Sequence, residues 1–169
     1  MMRSSRIALW VGLLSTALAF PLRAQAAGGI TVGSPAPVVV VNDLDANPVN
    51  LAQWIGKKPV LLEFWATWCE NCEALLPRMK AAYGTYGTRV EFIGVNVVVN
   101  QSPVKVRRYM ESHEIPWRIL YDDQATSTRA YEAPATSFIV IVDRSGKVIY
   151  TGLGADQMFE DALKRVTES

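Results

Sequence analysis

Cysteine and histidine are nearly missing from this chain, whose 169 residues hold two cysteines and one histidine. A four-ligand zinc site needs more than Cys69, Cys72 and the distant His113 can supply, so no metal is expected. Two cysteines three positions apart also cannot make the web of bridges that staples small extracellular domains. An excess of charge is missing as well. Lys and Arg number 17 against 16 Asp and Glu, and the one local excess, Lys105, Arg107 and Arg108, reads as the wet face of a helix. Nucleic acid is thereby excluded as a partner. The apolar run from Ile7 to Phe20 falls short of the roughly 20 residues a membrane helix needs. Arg3 and Arg6 precede it and Ala24-Gln25-Ala26 follows, the form of a signal peptide with a small-x-small cleavage site.

Residues 1–26 are therefore read as a signal peptide and 27–169 as one domain, exported to the periplasm or a comparable compartment. The domain would remain membrane-anchored if the segment is not cleaved. Half of the residues are hydrophobic, enough to bury one core and too few in total for two domains.

What is present centres on Val60 to Pro77. Val60-Leu61-Leu62-Glu63-Phe64-Trp65-Ala66 reads as a buried strand, and from Cys69 onward the apolar residues take up a helical period. Cys69 and Cys72 thus fall at a strand-to-helix junction, close enough to close a small disulfide ring. A thiol at a helix N-terminus gains thiolate character from the unpaired N–H groups there. Cys72, Leu75, Leu76, Met79, Ala82 and Tyr83 form one apolar stripe, which buries Cys72 and leaves Cys69 at the exposed end. Cys69 is the expected attacking thiol and Cys72 the resolving one. Glu63 interrupts the apolar strand; burial there should raise its pKa, and alternation alone cannot say which face it occupies.

Around this centre the chain alternates strand and helix, which makes the domain α/β with a mixed sheet. Val38 to Val41 and Val49, joined through Asp43 to Pro48, read as a hairpin followed by a short helix from Leu51 to Ile55. A helix from Cys72 stopped by Gly84 and Gly87, a strand from Arg89 to Val99, and a helix capped by Ser102-Pro103 follow. Ile115 to Tyr121 gives another strand, and Asp122-Asp123 opens a short helix to Tyr131. Phe138 to Val142 and Lys147 to Tyr150 pair across Asp143-Arg144-Ser145-Gly146. Asp156 to Glu168 closes the chain, with Met158, Phe159, Ala162, Leu163 and Val166 expected inward.

The run Phe64-Trp65-Ala66-Thr67-Trp68-Cys69-x-x-Cys72 resembles thioredoxin-fold proteins, and more narrowly the exported TlpA/ResA-like thiol-disulfide oxidoreductases. Val32-Gly33-Ser34-Pro35-Ala36-Pro37 and Gly56-Lys57-Lys58-Pro59-Val60 are similar to that family's N-terminal hairpin region and its entry to the core strand. The resemblance implies a thioredoxin-like sheet flanked by helices, with an N-terminal β-hairpin and a helix-strand insertion. It implies that Glu63, six residues before Cys69, exchanges protons with Cys72. It further implies substrate contacts at Trp68, Glu70 and Asn71, and at Ala133 and Pro134, with Pro134 cis and facing the Cys69–Cys72 disulfide. The family's P-T-T-F-x-x-D pattern sets its proline closer to the aspartate than Pro134 stands to Asp143, a surplus of three residues expected to lengthen the strand. Leu75 occupies a helix position where the family often has an acid, which leaves Glu63 to serve alone.

The resemblance implies a monomer that needs no cofactor and reduces exported protein disulfides, for example the haem-site cysteines of apo-cytochrome c. A membrane thiol carrier would donate the electrons. Glu70 beside Cys69 disfavours the thiolate and hence favours a reductant. The alternatives are a copper-handling protein of the same fold or an interaction module with an idle disulfide. A peroxiredoxin is ruled out by the absence of its P-x-x-x-T/S-x-x-C pattern.

Overall fold

The strand Val60–Trp65 (β3) is buried at every position, because it has a neighbour on each side and a covered layer on each face. In the computed structural model, which describes residues 28–168, β3 belongs to a seven-stranded mixed sheet. The other strands are Val40–Asp43 (β1), Pro48–Asn50 (β2), Glu91–Val97 (β4), Arg118–Asp122 (β5), Phe138–Val142 (β6) and Val148–Leu153 (β7). Their order across the sheet is β2-β1-β5-β4-β3-β6-β7. β4 pairs parallel with both β3 and β5, and β6 runs antiparallel to β3 and to β7. The helices are Glu70–Tyr86 (α1), Pro103–Ser112 (α2), Thr126–Ala130 (α3) and Glu160–Glu168 (α4). The expected signal segment lies outside the described residues, and no helix among those described is long and apolar enough to cross a membrane.

Strand alternation sorts the core into two layers. Leu61 and Trp65 of β3, Phe92 of β4, Ile119 of β5, and Ile139 and Ile141 of β6 face α1, α2 and α4. Val60, Leu62 and Phe64 face the other way with Ile93, Val95, Leu120, Phe138 and Val140, against Tyr131 and the segment from Ile30 to Ile55. The β1–β2 hairpin and the α2–β5 insertion are both present, the hairpin joining the sheet through β5.

Several boundaries differ from expectation for local reasons. The first strand starts at Val40 rather than Val38, since pairing begins opposite Asn50. α1 runs through Gly84 and ends at Gly87, whose N–H caps the Tyr83 carbonyl at 2.8 Å. β5 begins at Arg118, three residues later than its apolar run suggests. The last helix begins at Glu160, so Met158 precedes it and is 67% exposed while Phe159 is fully buried. Ser102 caps α2 through the Lys105 N–H as its sequence implies, and Asp122 accepts from the Ser127 and Thr128 N–H groups at the start of α3.

Candidate active site

β3 delivers the chain into a short turn, with the Cys69 N–H bonded to the Ala66 carbonyl at 3.1 Å, and Cys69 becomes the N-cap of α1. Its sulfur accepts the Cys72 N–H at 3.1 Å, the place a serine or aspartate oxygen takes in an ordinary cap. The two cysteines are disulfide-bonded, with Cα atoms 5.2 Å apart. The expected contrast in exposure is absent: Cys69 is 7% exposed and Cys72 6%. With the two sulfurs bonded to each other, position on the apolar stripe does not separate them in this oxidised state.

Trp68, Glu70 and Asn71 surround the pair on the exposed rim. Trp68 is 46% exposed, and its indole N–H is fixed to the Val99 carbonyl at 2.7 Å. Gln101 Oε1 accepts the Thr67 N–H at 3.1 Å and the Asn96 amide at 3.3 Å. The loop after β4 therefore braces the turn that carries the cysteines.

Glu63 lies in register with Gly94 on β4, on the same face as Leu61 and Trp65 and hence on the disulfide side. It lines a small cavity of about 10 Å³ together with Trp65, Cys72, Leu76, Tyr109, Ile115 and Trp117. That volume is about one water probe. Burial pushes the Glu63 carboxyl up from 4.5 to about 8, and no charged neighbour contributes. The Trp65 indole nitrogen on this face is buried without a partner. It packs over Gly94, where a Cβ would come within 2.8 Å of it and would also strike Ile119. Tyr109 packs against Trp65 with ring centroids 5.4 Å apart and planes tilted by 43°, and has its own pKa raised by burial first, then by Glu73 and Glu63. His113 stacks in turn on Tyr109, with its Nδ1 close to the Tyr109 carbonyl. Among the described residues no group of three or more His, Cys, Asp and Glu could hold a metal.

Pro134 is a correction. No described residue follows a cis peptide bond, so Pro134 is trans. It is exposed, and its three-residue surplus forms a turn over Ala135 to Ser137 instead of lengthening β6. Ala133 cannot offer its N–H to a substrate, because that group already donates to the carbonyl of Thr128 in α3 at 2.9 Å. Continuing the β3–β6 register one step past Phe64 and Phe138 sets Ser137 beside Trp65, at the end of β3 that leads to Cys69. Ser137 is fully buried with φ 61°, its hydroxyl accepting from the Gly154 N–H and its carbonyl from the Gln157 side chain at 2.7 Å. Six residues before Asp143, the spacing of the family pattern, stands Ser137 and not a proline.

The chain matches the Redoxin family over residues 31–166. It is 33% identical over 143 residues to the thiol-disulfide oxidoreductase ResA of Geobacillus thermodenitrificans, covering 83% of this chain and 78% of that protein. Identity to the ResA of Bacillus subtilis is 29% over 140 residues, with 81% and 76% covered. Among solved structures, the thioredoxin domain of a thiol-disulfide oxidoreductase from Bacteroides vulgatus superposes with a TM-score of 0.68 at 25% identity, covering 81% of this chain and 99% of that one.

Proposed function

The chain belongs to the Redoxin family and is a thiol-disulfide oxidoreductase of thioredoxin fold; from that premise we propose that it works as a reductant of exported protein disulfides. In the reduced enzyme the Cys69 thiolate attacks a substrate disulfide, forming a Cys69–substrate bond and releasing one substrate thiolate, which takes a proton. Cys72 then gives its proton to Glu63 and attacks the Cys69 sulfur, releasing the second substrate thiolate. The product is the Cys69–Cys72 disulfide, and two electrons have passed to substrate. A membrane thiol carrier would restore the dithiol, and haem-site cysteines of an apo-cytochrome c are one substrate class that fits.

The observation that carries this reading is the cavity shared by Glu63 and Cys72. A carboxyl with a pKa near 8 is about one-tenth ionised at neutral pH, yet close enough to a thiol pKa to exchange protons with it. Two features support Cys69 as the attacker: it caps α1, and the Cys72 N–H points at its sulfur. Glu70 in the first turn opposes the thiolate and favours reducing power. Trp68, Glu70 and Asn71 form the substrate rim, and the chain at Thr136-Ser137 takes the place first assigned to Ala133 and Pro134.

The test is single-turnover reduction of a protein disulfide by the dithiol form. Cys72→Ser should accumulate a covalent adduct through Cys69, and Cys69→Ser should form none. Adducts through Cys72 instead would reverse the roles, and a redox potential near the strongly oxidising end, about −120 mV, would defeat the reductive direction.

A further inference from the structure

Three cations lie close together on α2, and the structure gives them different fates. Arg107 is paired with Asp45 of the β1–β2 hairpin. Arg108 enters no ion pair among the described residues, and the Lys105 ammonium donates to the Asn100 carbonyl at 3.2 Å. Lys105 and Arg108 stand one turn apart and so share a helix face. With Thr67, Tyr109 and Ser112 they line an open cleft of about 320 Å³.

That cleft adjoins the reacting sulfurs. Thr67 is two residues from Cys69, and Tyr109 lines both this cleft and the small cavity that Cys72 shares with Glu63. The neighbouring surface is apolar and exposed: Trp68 at 46%, Val99 at 61% and Val104 at 67%. On α1, exposed Glu70 and Glu73 supply the opposite sign. The rim is thus divided, cationic on the α2 side and anionic on the α1 side.

We propose that the Lys105–Arg108 cleft selects substrates by taking an acidic side chain of the disulfide-bearing polypeptide, a few residues from the cysteine that Cys69 attacks. A neighbouring apolar residue of the same segment lies on Trp68 and Val99. The proposal rests on the reductive reading above. A polypeptide fits better than an anionic membrane surface, because a flat anionic face would meet Glu70 and Glu73 together with the two cations. An extended chain can place one carboxylate in the cleft and keep clear of them.

The test uses the full chain, reduced, with disulfide-linked peptides that carry Glu or Lys at each of the positions flanking the attacked cysteine. For at least one position the Glu peptide should react about five-fold faster in kcat/KM than the Lys peptide at low salt, the scale of two exposed ion pairs. The preference should fade toward 1 M salt, where the screening length is about 3 Å. Lys105→Glu/Arg108→Glu should invert it while leaving reduction of a small neutral disulfide unchanged. Equal rates for both peptides at every position, or an undiminished Glu preference in the double variant, would overturn the cleft assignment. So would anionic vesicle binding lost in the variant with no peptide preference in the parent, which would give the cations to a lipid surface. Failure of the parent protein on the small neutral disulfide would instead strike the reductive reading itself.

Discussion

The two faces of β3 are equally dry and chemically opposite. Phe64 lies between Tyr131 and Phe138 at ring distances of 5.8 and 6.0 Å, and the one phenol there donates a hydrogen bond to the Pro37 carbonyl at 2.8 Å. One residue earlier, Glu63 is buried with no charged partner to offset its desolvation, and Trp65 beside it keeps an unpartnered indole N–H. Of the four buried side-chain polar atoms without a partner among the described residues, three belong to Trp65, Thr67 and Asn96, around the turn to Cys69. Burial alone therefore does not distinguish a stabilising surface from a reactive one. What distinguishes them is whether each polar group that loses water finds a partner.

The comparison breaks first, and by most, at Phe64. Phe64→Ala should destabilise the oxidised protein by about 3–5 kcal/mol, measured by urea unfolding, while single-turnover reduction per folded molecule stays as in the parent. A slowed resolving step in that variant would mean that the two faces are not separable.

Glu63 should sharpen it through pH. Its folded pKa is raised, so the folded state holds a proton that the unfolded chain releases above about 4.5. Stability from this group is full below the unfolded value, falls as pH rises from about 4.5 to about 8, and is lost above that. Glu63→Gln should flatten that slope and be the more stable protein at pH 9 by on the order of a few kcal/mol. It should also slow the step in which Cys72 resolves the adduct, with less effect on the first attack. Parallel stability curves for parent and variant across this range would return Glu63 to a structural role.

The smallest contrast is between two polar atoms. Tyr131→Phe removes a made hydrogen bond and leaves the Pro37 carbonyl unpaired, a loss of roughly 1–2 kcal/mol. Trp65→Phe removes a donor that had no partner, so its loss should come from ring volume alone. Urea midpoints compared with Phe138→Leu, a volume change on the opposite face, would expose any hidden bond to the indole.

Much of this was open to reading because it is local. The apolar run before Cys69, the Ser102-Pro103 cap and the Asp143-Arg144-Ser145-Gly146 turn each depend on neighbours a few residues away. Glu63 could be seen as anomalous, but its face became definite only once α1 was laid against Leu61 and Trp65. Ser137 was harder. Its left-handed backbone is held by Gly154 and Gln157, from beyond β7, and nothing nearby in the chain announces it, whereas a proline draws attention by itself. Arg107 and Arg108 make the same point at the scale of one residue: a hairpin about sixty positions earlier claims the first, while the second has no ion pair among the described residues.

The outer strands of an open sheet carry backbone groups that another extended chain can pair with. β2, at one outer edge, is three residues long and begins with Pro48, which has no N–H to offer. At the other edge, the start of β7 is already taken by the segment from Gly33 to Ala36. Gly33 N–H donates to the Val148 carbonyl, Val148 N–H to Ser34, and Ala36 N–H to Gly146, with an isolated bridge between Pro35 and Lys147. Beyond Val148, the outer edge of β7 from Ile149 to Leu153 has no strand partner among the described residues. Edge protection is thus uneven: the β2 side is short and proline-led, the β7 side is covered only at its start, and an added strand would find its backbone partners at Ile149 to Leu153.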